Sequence, residues 1–300
     1  IGESDDHLET TVVTLSAEAR NGSIYLLEAD GITIDDVGLS VNRVASDAST
    51  AAGSSTDVAQ SDIRTTGGNG NIVLRTTAGS ITLNNGTAPS DDTALSANGT
   101  GNILIQALGA DTDITVNADI LSGSGNVSVL AARNVSFTGT ADIRTSSTAA
   151  GSGSIDVQAG TGSITQSATS VFLSTGATAT ARLLAATSVT LGDIELSLGQ
   201  VSITATAGSI LDADALVSSA NDTDQDITAS ALRLSAGTSI GDSVNHLETT
   251  VVTLSAEARN GSIYLLEANA LTVDDVSLSV NRVASDGATA TTDSSEVFFS

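Results

Sequence analysis

Apolar and polar positions alternate along this chain in short runs. Asp62-Ile63-Arg64-Thr65 is followed by Gly70-Asn71-Ile72-Val73-Leu74 and Gly79-Ser80-Ile81-Thr82-Leu83. This three-part phrase returns from Asp119-Ile120, from Asp142-Ile143 and from Asp193-Ile194, with weaker copies near Leu95 and Val171. Alternation over three to five residues is the period of a half-buried strand, not of a helix. Gly, Asn, Ser and Asp punctuate the runs, and Asn-Gly begins at Asn21, Asn69, Asn85, Asn98 and Asn260. That dipeptide favours tight hairpins, but the variable gaps between phrases suit coil turns better. The lone proline, Pro89, sits in the polar stretch 84–93. No amphipathic helix of ordinary length is predicted; the Ala-rich stretch 177–186 is broken by Thr and stays ambiguous.

A longer repeat overlies the short one. Residues 7–29 return unchanged as 246–268, an offset of 239, and 1–48 match 240–287 at 39 positions without a gap. The match fades but persists over 1–58 against 240–297. Residues 1–239 thus read as one complete long repeat of about ten coils, and 240–300 as the start of the next, in one continuous solenoid without a linker. This reading makes the chain a window on a longer array.

Three short strands per phrase and roughly 25 residues per phrase predict an all-β fold, a parallel β-solenoid (β-helix). A single coil cannot bury its apolar side, so stacked neighbours supply the core. The competing architecture is a string of β-sandwich domains. Those repeat at about 100 residues, and no such boundary divides the 239-residue unit.

Composition narrows the chemistry. The 300 residues carry 35 acidic and 10 basic side chains, a formal charge of −25. Hydrophobic residues make up 40%, aromatics only 2%, and Cys, Met, Trp and Lys are absent, so the core falls to Ile, Val, Leu and Ala. Without Cys or Lys there is no thiol site, P-loop or Schiff base. The negative charge argues against nucleic acid and anionic lipid. No apolar run approaches the ~18–20 residues that span a membrane as a helix, so no membrane insertion is expected.

Gly22-Ser23-Ile24-Tyr25-Leu26-Leu27-Glu28-Ala29 and Gly79-Ser80-Ile81-Thr82-Leu83 resemble the repeats of filamentous-haemagglutinin-like proteins, giant bacterial cell-surface β-helical adhesins and fibre proteins. The segment from Thr238-Ser239-Ile240-Gly241 to Gly261-Ser262-Ile263-Tyr264 is similar to a phrase common in them. The likeness covers the whole chain as a repeat style. It implies an exported, non-catalytic stalk, adhesin or matrix element.

Candidate sites are sparse. Asp222, Asp224 and Asp226 place carboxylates at alternate positions of one polar run, a spacing that suits oxygen-ligated calcium; the same run reads more readily as a solvated acidic loop. His7 and His246 share one repeat position, as structural residues do. Arg20, Arg43, Arg64, Arg75, Arg144 and Arg282 are expected to flank strands and pair with Asp or Glu. Carboxylates are spread out rather than paired in a cleft, as glycoside hydrolysis would need, so no enzyme, and no cofactor apart from calcium, is expected. Seven Asn-x-Ser/Thr sequons follow from composition.

The resulting expectation is a non-catalytic structural segment of a giant extracellular fibre or cell-surface stalk. Its partners would be neighbouring repeats or identical chains. The alternative is an adhesin with calcium-stabilised acidic loops, binding a cell-surface or carbohydrate ligand through segments such as 45–60 or 84–98.

Overall fold

The computed structural model describes residues 1–145, 153–214 and 224–293. Every regular element among them is a strand. The strands stack in parallel into three columns, which the chain visits in turn, making a parallel β-solenoid. One coil runs Ile63–Thr65 on face 1, Ile72–Thr76 on face 2 and Ile81–Leu83 on face 3. The next lays Thr93–Ala97, Ile103–Ala107 and Ile114–Val116 over them. Coil length varies around the expected 25: Phe172 to Ile194 is 22 residues, and Ile194 to Ile227 is 33. Faces 1 and 2 form one sheet because Asp193–Ala205, Ile227–Ala236 and Leu247–Ala258 run across the corner between them. Face 3 is a separate eight-stranded sheet.

Alternation decides what is inside. In Ile72–Thr76 the side chains of Ile72 and Leu74 point inward and stack on Ile103 and Ile105 of the next coil. Like stacks on like, and one apolar cluster runs from Ala17 to Leu254. Each aliphatic side chain so buried contributes about 1.5–3 kcal/mol. Among the described residues the only buried aromatic pair in this core is Phe137 on Phe172, edge to face at 4.7 Å between centroids.

The Gly-Asn-Ile and Gly-Ser-Ile phrases encode the corners. Before face 2, Gly70, Gly101 and Gly125 stack on one another. A Cβ on Gly101 would lie 2.2 Å from the Gly70 carbonyl oxygen, and one on Gly125 would lie 2.0 Å from that of Gly101. The next position caps the backbone. The N–H of Asn102 donates to Asn71 Oδ1 and that of Asn126 to Asn102 Oδ1, both at 2.9 Å. A second ladder guards face 3, where Asp113 N donates to Ser80 Oγ and Asn134 N to Asp113 Oδ1, both at 3.0 Å. Corner N–H groups, which the sheets cannot satisfy, are thus paired.

The duplicated segment folds alike twice. Leu8 pairs with Leu26 and Leu247 with Leu265; Thr14 pairs with Thr33 and Thr253 with Thr272. Glu28 is fully buried and accepts from Thr10 Oγ1 at 2.6 Å and from the N–H of Val12; Glu267 does the same for Thr249 and Val251. The frame around each occurrence differs. Ile24–Glu28 lies on face 2, over Ile72–Thr76. Its counterpart Leu265–Glu267 lies over Leu247–Thr249, which continues onto Ile227 of face 1. The segment carries its own pairing and takes its face from its neighbours.

Two antiparallel hairpins interrupt the coils: Val37–Val44 with Thr50–Gln60, and Ser279–Val283 with Thr289–Asp293. Segment 45–60, expected to be a side loop, is mostly the second strand of the first hairpin. That hairpin is exposed along Val37–Val44. The second hairpin instead continues a strap that leaves the last coil after Val273 and runs back along face 2. Val276, Leu278, Val280 and Val283 are buried there. The strap covers outward-facing residues of face 2, so that Tyr25, Val73, Leu104, Ser128 and Asp156 are buried although they point away from the core.

Candidate functional site: a carboxylate column on face 1

Where face 1 begins, an acid stands on several coils, as Asp62, Asp119, Asp142, Asp193 and Asp226, followed one coil later by Glu248; the intervening coils of Leu95 and Phe172 carry Ala94 and Val171 there. Parallel stacking sets neighbouring coils about 4.8 Å apart, so like charges line up. The backbone answers part of this. Asp142 N donates to Asp119 Oδ1 at 2.9 Å, Val171 N to Asp142 Oδ1 at 2.6 Å, and Glu248 N to Asp226 Oδ2 at 2.7 Å. Arg144 answers another part: it pairs with Asp142 and stands 3.8 Å from Asp119.

What remains shows in the proton affinities. Burial pushes Asp62, Asp119 and Asp193 up to about 6, with neighbouring carboxylates adding to the effect: Asp91 beside Asp62, Asp142 beside Asp119, Asp224 and Glu195 beside Asp193. Asp62 Oδ1 is buried with no hydrogen-bond partner among the described residues. Asp226 is pushed furthest, to about 10, first by burial and then by the charge of Asp212, to which it also hydrogen-bonds. The interacting Asp212 and Asp226 therefore favour holding a proton between them.

Asp212, Asp226 and Glu248 converge, each with a carboxylate oxygen within 4.8 Å of the others. Asn245 Nδ2 donates to Asp212 Oδ2 at 2.7 Å. Such a group can share a proton, or it can offer oxygens to a hard divalent cation at 2.3–2.6 Å. Of the sequence-predicted calcium residues, Asp222 lies outside the described residues, Asp224 is exposed and is not among the three, and Asp226 joins them. Asp212 and Glu248 belong to neighbouring coils, and only their place in the repeat could have pointed to them.

A shallow groove of about 730 Å³ runs along the outside of face 1, between Asp62, Asp91, Arg64 and Arg144. Arg64 ion-pairs with Glu18 at 2.7 Å, holding that carboxyl below its usual range. Arg20 and Arg282 also pair with acids, Glu18 and Asp156. Arg75 departs from the expectation: it donates to Gln106 at 2.9 Å. His7 and His246 pack on Tyr25 and Tyr264, with ring centroids 5.7 and 5.8 Å apart. The sequence reading missed Asp156, which is fully buried on face 2 and accepts from Arg182 at 2.9 and 3.1 Å. Among the described residues no helix is long and apolar enough to cross a membrane. The chain matches no protein-family model, no curated protein and no solved structure.

Proposed function

We propose that this chain is a non-catalytic structural segment of an extracellular fibre or cell-surface stalk, lengthened by stacking coils. The observation that carries the reading is the unbroken apolar cluster from Ala17 to Leu254, with the duplicated segment making the same pairs at both ends of it. A rod built this way gains length with each repeat and needs no new kind of contact. The formal charge of −25 keeps such rods soluble and opposes lateral sticking. The resemblance of the Gly-Ser-Ile phrases to filamentous-haemagglutinin-like repeats points the same way. The convergence of Asp212, Asp226 and Glu248 favours a form of the rod stabilised by calcium.

Electron microscopy of the parent material tests the reading. Between eight and nine coil steps of about 4.8 Å give an axial period of about 42 Å for each 239-residue repeat. Thin, uninterrupted surface rods with that period are expected. Compact particles, or beads without the period, would remove the fibre and leave the adhesin.

A further inference from the structure

At one corner of the solenoid the crowded acids meet a different kind of oxygen. The chain turns there from face 3 to face 1 on successive coils. Asp212 ends the face 3 strand Ile210–Asp212, and Asp226 stands just before Ile227–Ala236. Asn245 lies two residues before Leu247–Ala258, and Glu248 is the second residue of that strand. Asp226, Asn245 and Glu248 are only 5%, 6% and 2% exposed. Asp212 accepts from Asp214 N at 2.8 Å and from Asn245 Nδ2 at 2.7 Å, and Asp226 accepts from Glu248 N at 2.7 Å. These donors are neutral, whereas buried carboxylates call for an opposite charge.

One buried atom indicates what meets that demand. Asn245 Oδ1 is buried with no hydrogen-bond partner among the described residues, although Nδ2 of the same amide touches Asp212. The two polar atoms of an amide are about 2.2 Å apart, so Oδ1 lies no more than about 5 Å from Asp212 Oδ2. The carboxylate oxygens of Asp212, Asp226 and Glu248 lie within 4.8 Å of one another. Oxygens on opposite sides of a calcium ion stand about 4.6–5.2 Å apart, twice the calcium–oxygen distance. One ion of that size therefore supplies both the missing charge and a partner for the orphaned oxygen. The duplicated segment offers an internal comparison. Asn245 and Glu248 correspond to Asp6 and Glu9 of its first occurrence, which are both exposed. Where the acids crowd, the chain carries an amide instead of an acid: an oxygen ligand without a fourth negative charge.

We propose that Asn245 Oδ1 joins Asp212, Asp226 and Glu248 as ligands of one calcium ion, which staples three successive coils at this corner. The ion holds Glu248, and with it the second occurrence of the duplicated segment, to face 1. Magnesium demands near-ideal octahedral geometry and gives up its water reluctantly, so a buried corner of this kind selects calcium. The proposal deepens the calcium-stabilised rod and rests on that reading for its purpose, while the site stands on the geometry of the corner.

The test titrates calcium chloride into the full, chelator-stripped chain by calorimetry at pH 8, in about 0.15 M sodium chloride to screen the surface charge. One ion per chain is expected, bound at least tenfold more tightly than magnesium. Two substitutions separate coordination from hydrogen bonding. Asn245→Leu and Asn245→Asp both remove the Nδ2 donor, but only the second keeps an oxygen. Asn245→Leu should weaken calcium at least tenfold, and Asn245→Asp should keep or tighten it. Asp212→Asn with Glu248→Gln should abolish binding. Asp224→Asn, at an exposed acid outside the group, should leave it unchanged. Far-UV circular dichroism checks folding, and hydrogen exchange of the unaltered chain reads the staple without any substitution: calcium should slow exchange at 226–229 and 245–250. No saturable site, equal loss in Asn245→Leu and Asn245→Asp, or no protection at that corner would overturn the staple. The fibre reading fails separately, since rods missing from micrographs while calcium binds would remove the stalk and leave the site.

Discussion

Asp226 is a carboxyl group placed where a carboxylate is costly. Unfolded, it releases its proton near pH 3.9; folded, it holds it to about 10. The folded state therefore binds a proton that the unfolded state lacks, so the stabilisation is full below about pH 4 and is lost as pH rises toward 10. Asp62, Asp119 and Asp193, at about 6, act in the same direction between pH 4 and 6. The expected outcome is a melting temperature that falls as pH is raised from 4 to 10. In Asp226→Asn the fall should be confined to the lower part of that range. At pH 9, millimolar calcium should restore the melting temperature of the parent chain but not of Asp226→Asn. A parent melting curve flat from pH 6 to 10 would show that the proton is not held.

At the scale of the element, the corner does the specifying. Gly101 has no Cβ because the Gly70 carbonyl oxygen fills that space. Gly101→Ala must push two coils apart and is expected to cost about 1–3 kcal/mol or more, read in chemical denaturation. A change within about 0.5 kcal/mol would mean that the corner is looser than the distance implies. These corners explain why the solenoid was legible from the chain alone. Gly-Asn-Ile states a turn, a cap and a strand in three residues, and each repetition states them again. The carboxylate group was less legible. Asp226 meets partners 14 positions before it and 22 after it in the chain, and coil lengths as different as 22 and 33 hide that coincidence. Nearness in sequence groups Asp226 with Asp222 and Asp224, whereas the fold brings Asp212 and Glu248 to it. The strap was not legible at all, because Arg282 finds Asp156 across 126 residues. The duplicated segment adds a related lesson: its internal pairing is written in its own residues, while its face comes from the coils above or below.

At the scale of the molecule, the solenoid is a stack of coils, each fixed mainly by its neighbours. The strap breaks that locality, because one segment spans many coils and ties the last to the first through Tyr25 and His7. This matters once the chain carries tension. Among the described residues, a load applied from the C-terminal side reaches Thr289–Asp293 before it reaches any coil. It peels the hairpin and strap from face 2 contact by contact, while the coils remain stacked. Residues 274–293 would supply roughly 65 Å of slack at about 3.3 Å per residue. Single-molecule pulling should show this release as a first event at low force. Arg282→Ala should lower that force and leave later events unchanged; a single event that ruptures coils and strap together would refute the sequence of steps. The backward course of the strap thus makes it a mechanical fuse: it yields first, and it can reset when the load is removed because its receptor stays folded.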